Sequence, residues 1–188
     1  STIPFSSSNC VANGSGEVIV DPNPDVLQRY EKRIEAARSA SAEAKARADE
    51  PAVTTDERQV EVVANIGNVE SAQFARQNGA EGVGLLRTEF LYLERDTLPT
   101  EEEQYQAYRA ILDEFGQLPV ILRTLDIGGD KELPYLQLEA EMNPFLGVRA
   151  LRLSLLKPEL FKPQLRAALR AGVDRNLKIM FPMVATSG

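Results

Sequence analysis

The apolar positions follow two different patterns, and the change comes near residue 52. Between Asn23 and Glu50 they form a narrow stripe of Leu27, Tyr30, Ile34 and Ala37, followed only by alanines. The rest of that stretch is Ala, Glu, Lys and Arg, all strong helix formers, which predicts a helix over 23–50. Asn23 suits the cap, and Pro24 suits the first helical position, where its missing amide has no partner to lose. Pro51 ends the run. A helix polar on nearly every side bridges between domains rather than packing into a core. The reading is therefore 1–22 as the tail of a preceding domain or residues foreign to it, 23–52 as a helical connector and 53–188 as a separate domain. A short strand, Glu17–Val20, precedes the helix.

Beyond residue 52 the periodicity alternates between strand and helix. Val60–Ile66 reads as a strand and Val69–Asn78 as a helix stopped at Gly79. Gly82–Leu86 is a second strand. Thr100 and Glu103 make a capping box for a helix whose buried stripe is Tyr105, Tyr108, Ile111, Leu112 and Phe115. Pro119–Leu125 is a third strand, apolar enough to be buried on both faces. Helices over Asn143–Ser154 and Pro158–Ala171 lead to a fourth strand, Leu177–Met183. Strands alternating with helices imply parallel βα units, either in a doubly wound sheet or in part of a (β/α) barrel. Val63, Val83, Ile121 and Ile179, or their immediate neighbours, are expected on the inner face.

Composition removes several kinds of chemistry. The 188 residues contain no histidine, which excludes a histidine base, a histidine metal ligand and a phosphohistidine in this chain. They contain no tryptophan, and the single Cys10 cannot form an internal disulfide, which suits a reducing cytosol. No apolar run approaches the roughly 20 residues of a membrane span, and no signal peptide opens the chain. The net charge of −7 argues against a nucleic-acid partner. It is unevenly spread: residues 53–143 carry 7 basic and 18 acidic groups, and residues 144–188 carry 8 and 2. A small anionic substrate would need locally placed arginines against that background.

Parallel α/β folds bind ligands at the C-terminal ends of their strands. That rule selects Arg87, Thr88 and Glu89, then Arg123, Thr124 and Asp126, then Met180, Phe181 and Met183. An unpaired guanidinium inside an apolar strand such as PVILRTLDI would cost several kcal/mol. A guanidinium also offers a rigid fork that grips phosphate bidentately. Two such forks on adjacent strands could clamp one phosphate or carboxylate. Equally, Arg87 and Arg123 could form a structural ion network with Glu89 and Asp126. Gly128-Gly129-Asp130-Lys131 resembles a phosphate loop but lacks the P-loop spacing and reads better as a turn. Asp126, Asp130, Glu139 and Glu141 show no recognised metal-ligand spacing, so no metal site is assigned. The basic segment 144–178 reads as helix surface, with Arg149 the one exception.

Five blocks taken together resemble one family. GAEGVGLLRTEFL (79–91), PTEEEQ (99–104), LRTLDIGGDKELPY (122–135), NPFLGVRAL (143–151) and IMFPM (179–183) are similar, in order, to the barrel of the phosphoenolpyruvate (PEP)–protein phosphotransferases, enzyme I of the bacterial sugar phosphotransferase system. The dikinases and PEP synthases share the first Arg-Thr-Glu block, whereas LDIGGDKELPY resembles enzyme I. The likeness covers roughly residues 17–185. It implies an α/β fold: a partial (β/α)8 TIM-type barrel of about four βα units behind a long connector helix. It also implies a cytoplasmic transferase that binds PEP and Mg²⁺, forms homodimers, and passes phosphoryl through a phosphohistidine to HPr for sugar uptake. Arg87 and Arg123 match the arginines that hold the PEP phosphate, and Arg149 falls in a block beside the site. The phosphohistidine, the magnesium carboxylates and a late catalytic cysteine of the family match nothing here, so no catalytic residue is assigned in this chain. A complete barrel takes roughly 250 residues. The expectation is therefore a half-barrel with its arm, inactive alone. The alternatives are a non-catalytic anion-binding or dimerisation module, or a piece of a dikinase or PEP synthase relative.

Overall fold

The computed structural model describes residues 10–12, 16, 18–93, 95–128, 135–136 and 142–186. The chain divides into two compact units, Ser1–Ala48 and Asp49–Gly188.

In the first unit, strands β1 (Cys10–Ala12) and β2 (Val18–Val20) pair antiparallel, and helix α1 spans Pro24–Ala46. The Asn23 carboxamide oxygen accepts from the Val26 amide at 2.9 Å, which is the cap the sequence predicts. The helix ends at Ala46, four residues before the expected Glu50, because Arg47–Asp49 close into a turn ahead of Pro51. Of the helix residues only Tyr30 is buried, and the guanidiniums of Arg29 and Arg33 lie 5.9 and 5.6 Å from its ring centre.

The second unit opens with a two-stranded antiparallel hairpin, β3 (Ala52–Val53) and β4 (Gln59–Val60). The elements that follow are β5 (Ala64–Ile66), α2 (Val69–Gln77), β6 (Val83–Arg87), α3 (Glu101–Phe115) and β7 (Val120–Arg123). After them come α4 (Ala150–Leu156), α5 (Pro158–Ala171) and β8 (Leu177–Met180). Strands β5, β6, β7 and β8 form one sheet in that order, all parallel. The strand alternation decides which face is covered. Ile66, Val83, Leu86, Val120 and Leu122 are buried in the core with Tyr108, Ile111, Leu112 and Phe115 of α3 and Ala167, Ala168 and Ala171 of α5. On the opposite face Asn65, Lys178 and Met180 are exposed. Of the positions expected on that inner face, Val83 and Ile179 pack with the helices, and the immediate neighbours Lys178 and Met180 take the other side, because Leu122 and its register partner Ile179 share the core side.

Three expected elements differ. The strand Val60–Ile66 is two pieces: β4 belongs to the hairpin and only Ala64–Ile66 joins the sheet. Between them, Val62 is tied to Glu81 by both its amide and its carbonyl, and its side chain finds no core. The helix over Asn143–Ser154 is broken into a short turn, Pro144–Leu146, and α4. Arg149 is extended between them, where the chain runs against Gly128. A Cβ on Gly128 would stand 2.8 Å from that of Arg149, and the glycine φ of +119° is one that side chains rarely adopt. The fourth strand stops at Met180, short of Met183. Residues Gly129, Asp130 and Lys131 of the glycine loop, with Glu139 and Glu141, lie outside the described residues.

Candidate anion-binding site

Arg87 is the last residue of β6, Arg123 is the last residue of β7, and the two are direct register partners. Leu86 and Leu122 point into the helix-covered core, so the alternation turns both arginines to the other face. Met180, at the end of β8, is the next partner along.

The two guanidiniums are held differently. Arg123 bonds the Glu89 carboxylate through Nη2 and reaches Asp126 Oδ2 with Nη1 at 3.4 Å. Arg149 donates to the same Asp126, from Nε at 3.0 Å and Nη2 at 2.8 Å, and lies over the Phe145 ring. Arg87 has no carboxylate partner among the described residues. Its guanidinium carbon sits 4.9 Å from the centre of the Phe90 ring. Phe90 in turn presses on Gly67, where an added Cβ would collide with the ring. The ion-network reading holds for Arg123, with Glu89 and Asp126; among the described residues Arg87 joins no such network.

Among the described residues, three guanidiniums stand with two carboxylates at these strand ends. Among the described residues, the Nε atoms of Arg87 and Arg123, Glu89 Oε2 and Thr124 Oγ1 are buried without a hydrogen-bond partner. Two of these four are donors on the arginines. A cleft of about 410 Å³ opens beside Arg87, lined by Gly67, Asn68, Glu70, Phe90 and Tyr108 among others; Arg123 and Arg149 do not line it.

Beneath the arginines runs a buried polar chain. The Thr88 hydroxyl donates to the Arg123 carbonyl at 2.8 Å. Gln164 bonds Thr88, Tyr108 and the Leu125 amide, and Gln104 accepts from the hydroxyls of Tyr92 and Tyr108. Burial pushes both Tyr92 and Tyr108 well above the ordinary tyrosine pKa. Neither glutamine is a site residue in the sequence reading, yet each carried a signal. Gln104, Tyr108, Ile111, Leu112 and Phe115 are the buried positions of α3, and Leu160, Gln164, Ala167, Ala168 and Ala171 those of α5. A glutamine on an apolar stripe marks a buried polar contact.

Among the described residues no group of three His, Cys, Asp or Glu side chains could hold a metal. Glu89 and Asp126, the buried carboxylates here, are engaged by Arg123 and Arg149. The described residues therefore offer no donor set for the magnesium that the resemblance implies for the complete enzyme.

Residues 41–188 match the family described as PEP-utilising enzyme, PEP-binding domain. The chain belongs to this family of PEP-utilising enzymes. Among curated relatives it is 54% identical over 171 residues to the phosphoenolpyruvate-protein phosphotransferase of Bacillus sp. (strain S), covering 91% of this chain and 30% of that protein. It is 53% identical over 172 residues to the proteins of that name from Bacillus subtilis (strain 168) and Staphylococcus carnosus (strain TM300), covering 92% of this chain and 30% of each. The chain thus spans about a third of the length of the relatives it matches.

Proposed function

We propose that this chain is the PEP-binding part of a phosphotransferase that moves the phosphoryl group of PEP to a histidine and on to HPr. Arg87 and Arg123 grip the phosphate, and Arg149 is their neighbour through Asp126. The register pairing of Arg87 and Arg123 at the ends of adjacent parallel strands carries this reading. The names of the relatives and the family match support it.

The chemistry follows from charge. In phosphoryl transfer the bridging P–O bond of PEP breaks, leaving the enolate of pyruvate, and a P–N bond forms to the acceptor histidine. The transition state is loose, and positioned cations stabilise the charge on its equatorial oxygens. Arg87, without a carboxylate partner among the described residues and backed by Phe90, can turn its fork to the phosphate. Arg123 is oriented in advance by Glu89 and Asp126 and offers what those carboxylates leave. The 188 residues hold no histidine, so the acceptor comes from elsewhere in the larger protein.

The same reading extends the sheet to a closed (β/α)8 barrel, makes α1 the connector to the phosphohistidine region, and makes the whole a homodimer of the cytoplasm. Among the described residues no helix is long and apolar enough to cross a membrane.

The experiment is a comparison of three ligands against the chain, followed by NMR at the arginine Nε–Hε groups. PEP and inorganic phosphate should shift the signals of Arg87 and Arg123, and pyruvate should not. A response to pyruvate equal to that for PEP, with none to phosphate, would overturn the phosphate grip.

A further inference from the structure

We infer that Gln164 is a positioning residue that sets where the two arginine-bearing strand ends stand relative to one another. The inference rests on the reading of Arg87 and Arg123 as the phosphate grip.

The backbone ladder alone leaves this spacing loosely determined. The β6–β7 pairing shifts register between Val83 and Leu86, so the hydrogen bonds that normally fix two strands are irregular just before the arginines. Beyond them the chain leaves the sheet: Thr124 still donates to the Met180 carbonyl at 3.0 Å, but the next amide, Leu125, has no strand partner. Gln164 takes it. Its Oε1 accepts from the Leu125 amide at 2.9 Å, and its Nε2 donates to Thr88 Oγ1 at 3.1 Å and to the Tyr108 hydroxyl at 3.2 Å. Thr88 follows Arg87 directly and donates onward to the carbonyl of Arg123. One carboxamide thus ties the residue after Arg87 to the second residue after Arg123, and Thr88 closes the loop onto Arg123 itself.

The side chain suits this task. Gln164 is fully buried (0% exposed), so no solvent competes for its three bonds. It projects from α5, which packs on α3, so the tie is anchored to the helical layer rather than to a loop. Two forks can engage one phosphate only if their spacing is held, and displacements of about 1 Å in such groups cost on the order of a hundredfold. Gln164 touches no ligand and acts only through Thr88, Leu125 and the strands that end beside them.

Gln164→Leu and Thr88→Val, made singly and together in the 188-residue chain, test the inference. Urea denaturation establishes that each is folded, PEP titration gives affinity, and the Nε–Hε signals of Arg87 and Arg123 report geometry without ligand. Each single change should weaken PEP binding about tenfold, shift both arginine signals, and leave the double variant no weaker than the worse single. Gln164→Glu keeps the acceptor for Leu125 and should fall between Leu and wild type. Wild-type affinity with unmoved arginine signals in folded Gln164→Leu, or losses that multiply in the double variant, would overturn the role. If Gln164→Leu does not fold, Thr88→Val decides by the same two readouts. If wild type binds no PEP, the phosphate reading falls, and Gln164 is judged on the ligand-free arginine signals alone.

Discussion

Arg87 and Arg123 are register partners at the ends of β6 and β7, yet their surroundings are opposite in kind. Arg123 is gripped by Glu89 and Asp126, whereas Arg87 rests on an aromatic face. The difference separates what each contributes to stability from what each contributes to binding.

Removing Arg123 should destabilise the fold far more than removing Arg87. Glu89 is only 2% exposed, so Arg123→Leu leaves a buried carboxylate without its cation, at a cost of about 3 kcal/mol. Arg87→Leu forfeits a cation–π contact of about 0.5–1 kcal/mol. Urea denaturation of the two variants checks this, and equal losses would contradict the assignment of Glu89 to Arg123.

Acid should weaken the N-terminus of α3 through Glu103. The Thr100 amide donates to its carboxylate at 2.7 Å, Arg95 pairs with it and the Thr100 hydroxyl adds a third bond, and together these hold its pKa at about 2. The folded value lies below the ordinary 4.5. The carboxylate therefore adds stability that is complete above about pH 4.5 and is lost as the pH falls through about 2. The drop in melting temperature between pH 6 and pH 3 should be smaller in Glu103→Gln than in wild type. An unchanged drop would remove Glu103 from the acid response.

The same capping box was legible in the sequence because Thr-x-x-Glu acts locally, within one turn. So were the Asn23–Pro24 helix start and both arginine strand ends, since a charge closing an apolar run stands out whatever the fold. The split of Val60–Ile66 was not legible, because Val62 and Val63 have strand propensity and only the contact with Glu81 draws the chain aside. Nor was the break before Ala150, which depends on Gly128, about twenty residues away, meeting Arg149. Gln164 showed in the sequence only as a polar residue on an apolar stripe; its three partners, just after β6, on α3 and just after β7, are far from it in sequence. The ion network of Arg123 could be named from neighbours in sequence, but the seat of Arg87 on the Phe90 ring needed coordinates.

The isolated chain should self-associate. Among the described residues, strands β5 and β8 each pair on one side only within the parallel sheet. Phe181, Met183 and Val184, which follow β8, are exposed. Unpaired strand edges recruit further strands, and apolar surface gains roughly 25 cal/mol per Å² on burial. Light scattering at micromolar concentration should show a dimer or larger species. A compact monomer would show that these edges are satisfied within the chain.

The central claim is that Arg87 and Arg123 hold the phosphate of PEP, and calorimetric titration of the chain with PEP tests it most directly. Lysine keeps the charge but loses the fork. The loss of one such charge-assisted contact is worth about 1.5–3 kcal/mol, or roughly ten- to a hundredfold in affinity. Folded Arg87→Lys should therefore bind PEP at least about tenfold more weakly than wild type, with folded Arg123→Lys also weakened. Wild-type affinity in both folded lysine variants would contradict the account and leave the two arginines as parts of the scaffold.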